Sequence, residues 1–184
     1  MTHPSLLSQL HDFSQRYPEH ASDVADFVEL LHDTVADPFE RSRLAGHFTA
    51  SCWLVDPSGE QVLLTHHRKL QRWLQLGGHA DGERDLALAA LKEASEESGL
   101  RDLRVEGGIF DLDRHTIPAR GDAEPEHDHF DVRYVIRACG SLEPVVSEES
   151  LDLAWRSIRE LAVDPAADVS MRRMSQRWLR LNEA

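Results

Sequence analysis

Apolar residues near the start of the chain repeat every three or four positions. The two stripes comprise Leu6, Leu7, Leu10, Phe13 and Tyr17, followed by Val24, Phe27, Val28 and Leu31. This spacing predicts two amphipathic helices within residues 4–35, broken near Pro18. We expect residues 1–45 to form a helical extension that packs on the main domain or on a second subunit, which would make a homodimer.

From His47 onward the apolar residues gather in short β-rich runs. FTASCWLV and QVLLTHH flank the turn-forming DPSGE, so we predict a β-hairpin. The other elements that the pattern predicts are strands at 103–112, 129–138 and, more weakly, 142–146, and helices at 85–98, 156–162 and 166–182. Strands alternating with helices indicate an α/β or α+β fold, with the main domain at 46–184.

Composition narrows the classes of partner. The 184-residue sequence has a formal net charge of −13, which argues against binding extended nucleic acid through a broad basic surface. Its two cysteines, Cys52 and Cys139, exclude a disulfide framework and a four-cysteine metal site. No apolar run approaches a membrane span, and the N-terminal residues lack signal-peptide features. We expect a cytoplasmic protein.

The stretch LKEASEESGL at 91–100 places several negative charges close together. Glu93, Glu96 and Glu97 are spaced i, i+3, i+4, so a helix presents all three carboxylates on one side at a cost of about 0.2–0.5 kcal/mol per pair. A solvated acidic helix face is one interpretation. The glycine-rich GGHADGE immediately upstream favours another, in which carboxylates and a backbone carbonyl bind Mg²⁺ or Mn²⁺.

Residues 78–100 resemble the Nudix box, G-x5-E-x7-R-E-U-x-E-E-x-G-U, where U is aliphatic. The positions that match in register are Gly78, Glu93, Ala94, Glu96, Glu97, Gly99 and Leu100. Two positions depart from the pattern. Lys92 replaces the arginine and lacks its bidentate fork, and Arg84 occupies the first glutamate position, with Glu83 one residue early.

The resemblance implies a Nudix-like α/β/α sandwich with a mixed sheet. It also implies a hydrolase of phosphorus-containing anhydrides that cleaves a small-molecule substrate, a nucleoside diphosphate linked to another moiety. Metal-activated water would attack phosphorus. Glu93 and Glu97 would be the principal ligands of Mg²⁺ or Mn²⁺, Glu96 a ligand or proton acceptor, and the Gly78 carbonyl a further ligand.

Other candidate residues lie outside the box. The family often takes its base from a late loop, where Glu148, Glu149 and Asp152 occur, and we favour Glu149 as the catalytic base. Basic side chains before the box could bind substrate phosphates, and the residues in question are Arg68, Lys69 and Arg72. Trp73 is a candidate for stacking on a base. A solvent-facing loop anchored by one tryptophan is the alternative.

Several histidines suggest a polar face near the substrate. His127 and His129 alternate along a predicted strand and so face one side, and His79 lies in the glycine turn. Together with His115 they form either a lining of the substrate cleft or a second metal site. We favour cleft-lining, because a transition-metal site needs three converging ligands and the sequence shows no convergence.

Two other functions compete with hydrolysis. Isopentenyl-diphosphate isomerase has a related fold, but it uses a cysteine in the segment that here reads LGGHADGE; Cys52 lies in a different predicted strand. A Nudix-like domain that binds a nucleotide as a sensor is the second alternative. Such domains tend to lose the carboxylates, whereas all three glutamates are present here.

Overall fold

The computed structural model describes residues 5–119, 121, 125–147 and 150–183, which form five α-helices and seven β-strands. The helices are α1 (Leu6–Arg16), α2 (Ala21–His32), α3 (Leu86–Ser98), α4 (Ile158–Leu161) and α5 (Val169–Glu183). The strands are β1 (His47–Val55), β2 (Gln61–His67), β3 (Arg72–Leu74), β4 (Leu76–His79), β5 (Leu103–Ile117), β6 (His127–Ala138) and β7 (Ser150–Ser157).

The seven strands belong to one sheet. Its main path runs β3-β2-β1-β6-β5, while β4 pairs with β1 and β7 pairs with β2. β1 and β2 are antiparallel with Val55 opposite Val62. In the turn between them, the Asp56 carboxylate accepts the backbone N–H groups of Glu60 and Gln61, both at 2.9 Å. The predicted hairpin is therefore confirmed, and an aspartate fixes its turn.

The chain divides into two compact units. The first comprises residues within 1–51, 78–90 and 107–134, and the second comprises residues within 52–77, 91–106 and 135–184. The predicted division at residue 45 into an extension and a main domain stays a prediction.

In the first unit, the N-terminal helices pack on strand residues. Phe27 of α2 meets Phe48 and Phe130, with ring centroids 6.2 and 5.3 Å away. The Tyr134 hydroxyl donates to Gln9 Oε1 at 3.0 Å, which satisfies a buried polar pair. Two helices separated by a short 3₁₀ turn at Pro18–His20 confirm the helical prediction for this segment.

A buried ion network also holds the strands of the first unit. Arg133, whose side chain is 3% exposed, lies 2.7 Å from Asp131, 3.2 Å from Asp111 and 3.1 Å from Asp113. Asp131 accepts two further hydrogen bonds, from the Thr49 and Ser51 hydroxyls. Multiple partners are what make charges tolerable in an apolar interior.

The second unit packs α4 and α5 near the β2–β7 pair. Met171, Met174 and Trp178 are buried along α5, as its helical periodicity predicts. The Trp178 indole N–H donates to the Gly59 carbonyl at 2.8 Å. Among the helices of the described residues, none has the length and apolar character needed to cross a membrane.

Three predictions of local structure are wrong. Residues 142–146 form no strand, since Pro144 has no N–H for a ladder and the Val145 N–H donates instead to the Ser98 carbonyl at 2.7 Å. The helix predicted at 156–162 is only α4, because residues up to Ser157 pair as β7 with β2. The stretch RKLQRWLQLGGHADGER at 68–84, which we expect from its sequence to be a loop, contains β3 and β4.

Candidate active site and histidine cluster

Helix α3 carries the three glutamates and has well-defined ends. Asp85 caps its start, accepting the Leu88 N–H at 3.2 Å. Gly99 follows its end with φ of +68°, a conformation that favours glycine. A side chain at Gly99 would also meet the Val145 Cβ at 2.9 Å. The predicted helix is confirmed, and both ends are set by residues of suitable chemistry.

The three carboxylates of α3 have different surroundings. Glu97 is half-buried, and its Oε1 accepts the Gly77 N–H at 2.8 Å. Glu93 is also half-buried. Glu96 is 60% exposed, with Lys92 Nζ at 3.9 Å. The pair that we expect to be the principal ligands is therefore the more enclosed one.

The glutamate that precedes α3 has a local structural contact. Glu83 Oε1 accepts the Asp85 N–H at 2.9 Å, beside the helix start. Arg84, which occupies the first glutamate position of the box, pairs with Asp37 at 2.6 Å and lies over the Phe39 ring. The two residues at which the chain departs from the box therefore have structural contacts. Glu83 binds the backbone at the start of the helix, and Arg84 forms an ion pair.

The side chains on α3 have the chemistry that a hard divalent cation prefers, whereas among the described residues only His47, His127 and His129 bring three ligand atoms within 4.8 Å of one another. Three carboxylates on consecutive turns supply the oxygen ligands that Mg²⁺ and Mn²⁺ prefer. Gly78 lies in β4 next to Gly77, whose N–H orients Glu97. The Gly78 carbonyl as a ligand stays a prediction.

The basic residues before the box have distinct positions. Arg68 is exposed and donates to the Ser150 carbonyl at 2.9 Å, and Lys69 is exposed nearby in sequence. Arg72 begins β3 and lies 3.8 Å from Asp168. Trp73 stacks on His66, with ring centroids 5.2 Å apart. The tryptophan thus already contacts protein groups.

A cavity of about 430 Å³ lies beside two of these residues, within the second unit. Its lining combines apolar and charged side chains, among them Leu64, Met171, Arg72, Trp73, Arg156 and Asp168. The Arg156 guanidinium lies 5.2 Å from the Trp73 ring centre. Such a mixture is typical of sites for small polar ligands.

The predicted general base is not placed by the structure. Glu148 and Glu149 lie outside the described residues. Asp152, the third candidate, is exposed in β7 opposite His66, and its Oδ1 accepts the Leu153 N–H at 2.8 Å. Glu149 as the base therefore stays a prediction.

The first unit gathers five histidines. His79, His115 and His127 come together around His129, and so does His47, which the sequence reasoning missed. The His47 ring centre lies 4.8 Å from that of His129 and 5.2 Å from those of His79 and His127. One nitrogen from each of His47, His127 and His129 lies within 4.8 Å of the others.

Burial and nearby positive charges lower the pKa values of three of these rings, those of His47, His79 and His129. Burial is the largest cause that lowers the pKa of His129 to about 3 and that of His79 to about 4, and the charges of neighbouring histidines add to it. Burial also lowers the pKa of His47. The sequence alone does not show that His47 belongs to this cluster. Its membership follows from the sheet, in which β1 lies beside β6.

Comparison with known families decides the identity of the fold. The family model described as NUDIX domain matches residues 46–178. This chain belongs to the NUDIX family. The match includes α3 and its three glutamates, so the resemblance carried by residues 78–100 is confirmed. No curated protein matches the sequence significantly.

Several solved structures share the architecture. A NUDIX-family hydrolase from Clostridium perfringens is 27% identical, with a TM-score of 0.55 over 73% of this chain and 97% of its own. An Ap4A hydrolase from C. elegans is 16% identical, with a TM-score of 0.57 over 74% and 97%. The dihydroneopterin triphosphate pyrophosphohydrolase of E. coli is 12% identical, with a TM-score of 0.57 over 72% and 95%.

These likenesses confirm the predicted α/β fold with its mixed sheet and helices. NUDIX hydrolases act on pyrophosphate bonds of small diphosphate-containing substrates, and they generally use divalent metals. Membership therefore indicates a hydrolase of that class.

Proposed function

We propose that this NUDIX protein is a divalent-metal-dependent pyrophosphohydrolase that cleaves a nucleoside diphosphate linked to another moiety. The observation that carries the proposal is the trio of glutamates on α3, with Glu97 oriented by the Gly77 N–H at 2.8 Å. A charged face built only for solubility needs no such fixed carboxylate. A metal ligand does, because its oxygen must be held before the ion arrives.

The three glutamates of α3 would have different roles in metal binding and catalysis. Glu93 and Glu97, both half-buried, would hold Mg²⁺ or Mn²⁺ together with the Gly78 carbonyl. Bound there, the metal would neutralise diphosphate oxygens and acidify a bound water. Glu96 is more exposed and stands 3.9 Å from Lys92, so it serves as an outer ligand or proton acceptor.

Basic groups in the second unit support binding of the rest of the substrate. Arg72 and Arg156 line the cavity of about 430 Å³, where guanidinium groups would bind phosphate oxygens. Arg68 and Lys69 present exposed positive charge on the preceding loop. We assign these four residues to substrate binding, with Glu149 as the general base.

The isomerase alternative would need a cysteine in the LGGHADGE segment, and that segment has none. Cys52 is fully buried in β1, where its thiol packs in the core. The sensor alternative makes a different prediction, which is tight binding of a diphosphate ligand without turnover.

The test is a product-release assay over a panel of nucleoside triphosphates, nucleotide sugars, dinucleotides and coenzyme A, each with Mg²⁺ and with Mn²⁺. We expect metal-dependent release of a monophosphate from at least one of them. Glu97→Gln should lower kcat roughly 10²–10⁴-fold, since metal-bound charge stabilisation contributes several kcal/mol.

Glu29→Gln provides the matched control, because Glu29 is an exposed glutamate on α2. It should retain wild-type turnover. Binding without turnover across the panel would support the sensor instead, and full activity of Glu97→Gln would remove the glutamate helix from the reaction.

A further inference from the structure

The histidine cluster has features that a satisfied core lacks. His47 is 1% exposed, and its Nδ1 lies 3.2 Å from the Arg43 carbonyl. A carbonyl oxygen only accepts, so this contact places the proton on Nδ1 and leaves a lone pair on Nε2. That Nε2 is buried and has no hydrogen-bond partner within the part of the chain that the structure describes. A buried acceptor without a partner costs about 1–3 kcal/mol.

His127 repeats this arrangement. Its Nδ1 lies 2.8 Å from the Pro125 carbonyl, which again fixes the proton there and bares Nε2. This Nε2 lies 3.3 Å from His129 Nε2, from which it accepts a hydrogen bond when no ion is bound. Two imidazoles thus have their tautomers set by main-chain oxygens. Metal-binding histidines usually have such a partner on the opposite ring nitrogen, because it orients the ring and raises its basicity.

The spacing suits a tetrahedral ion. Zinc–nitrogen distances of roughly 2.0–2.1 Å place tetrahedral nitrogens about 3.4 Å apart. The 3.3 Å separation in the His127–His129 pair agrees with this value, and the ligand nitrogens of all three rings lie within 4.8 Å of one another. Small side-chain rotations would complete the convergence.

We propose that His47, His127 and His129 bind a divalent transition-metal ion, with Zn²⁺ as the ion of best-matched chemistry. Three protein ligands leave the fourth position of a tetrahedral site for water. His79 and His115 flank the site, and His115 Nδ1 contacts Asp113 at 3.2 Å. The Arg41 cation near His79 is paired with Asp81, so it does not oppose the ion as a free charge.

This site differs in chemistry from the glutamate helix. Imidazole ligands select borderline ions such as Zn²⁺, whereas the carboxylates of α3 suit Mg²⁺ and Mn²⁺. The proposal needs no turnover and does not rest on the proposed function. It changes the role of His127 and His129 from lining a cleft to holding an ion.

The test uses the full-length protein without an affinity tag, stripped by chelator and dialysed with free Zn²⁺ buffered at about 1 µM. We expect about one zinc per chain by elemental analysis. Co²⁺ should give the intense visible absorption of a four-coordinate site, and Zn²⁺ should abolish it by displacement. Less than about 0.1 zinc per chain in the wild type would overturn the proposal.

Variants locate the ion. His129→Asn changes a half-buried ring and should lower the zinc affinity by more than the roughly 10–100-fold that loss of an outer partner costs. The exposed His11→Ala is the matched control and should bind like the wild type, as should Glu97→Gln. Undiminished zinc binding by His129→Asn and by His127→Asn would overturn the assignment of ligands. Because Glu97→Gln should lower turnover without changing the zinc affinity, the two proposals fail separately.

Discussion

The glutamate helix and the histidine cluster bring reactive side chains together by different routes. Glu93, Glu96 and Glu97 lie within five consecutive residues, and one helical period aligns them. The histidines come from β1, β4, β5 and β6, so they meet only when those strands are in place. The first arrangement depends on local geometry and the second on long-range pairing. Disturbing the fold should therefore affect them unequally.

The largest expected effect concerns long-range contacts in the first unit, which also contains the histidine cluster. Arg133→Met would leave Asp111 and Asp131 buried without their guanidinium, which should lower the free energy of unfolding by about 3–5 kcal/mol. Urea unfolding measures it. Arg114→Met is the control, because its ion pairs with Asp26 and Asp128 are half exposed, and it should lose no more than about 1 kcal/mol. Equal losses would mean that the buried network does not hold these strands.

An intermediate effect is expected at the fixed carboxylate of α3. Glu97→Leu removes the acceptor of the Gly77 N–H and should cost about 1–3 kcal/mol of stability. Glu97→Gln keeps an oxygen at that place and should stay within about 0.5 kcal/mol of the wild type. Thermal or urea unfolding compares the two. A fully stable leucine variant would show that the contact does not orient Glu97.

The smallest effect concerns Lys92, which replaces the arginine of the box. Its contact with Glu96 is 3.9 Å long between two largely exposed side chains. Lys92→Ala should therefore change stability by no more than about 0.5 kcal/mol and leave turnover close to wild type. Steady-state kinetics on the substrate found by the panel decides this. A loss of activity above tenfold would instead place Lys92 in contact with the substrate.

The sequence allowed accurate prediction wherever the signal was local. Helix α3 has its capping Asp85, its apolar spacing and its terminal Gly99 all within one short segment. The β1–β2 hairpin likewise has its turn chemistry between its strands. In both cases the residues that determine the element lie inside it or next to it.

Prediction failed where tertiary contacts decide. Val145 and Val146 have strand-like side chains, yet the Val145 N–H binds the end of α3 and its side chain lies against Gly99. Strand β7 was not predicted from the sequence. Its residues form a strand because they pair with β2, which is distant in the sequence. His47 shows no signal of its own in the sequence. Its partners are identified only by the strand order.

The acceptors that hold the rings of His47 and His127 are main-chain oxygens, those of Arg43 and Pro125. No side-chain replacement at either position deletes a carbonyl. The orientation of the two imidazoles therefore depends on the path of the supporting backbone and not directly on a side chain. At Arg43 the side chain still acts indirectly, because it donates to the Gly46 carbonyl and pairs with Asp33.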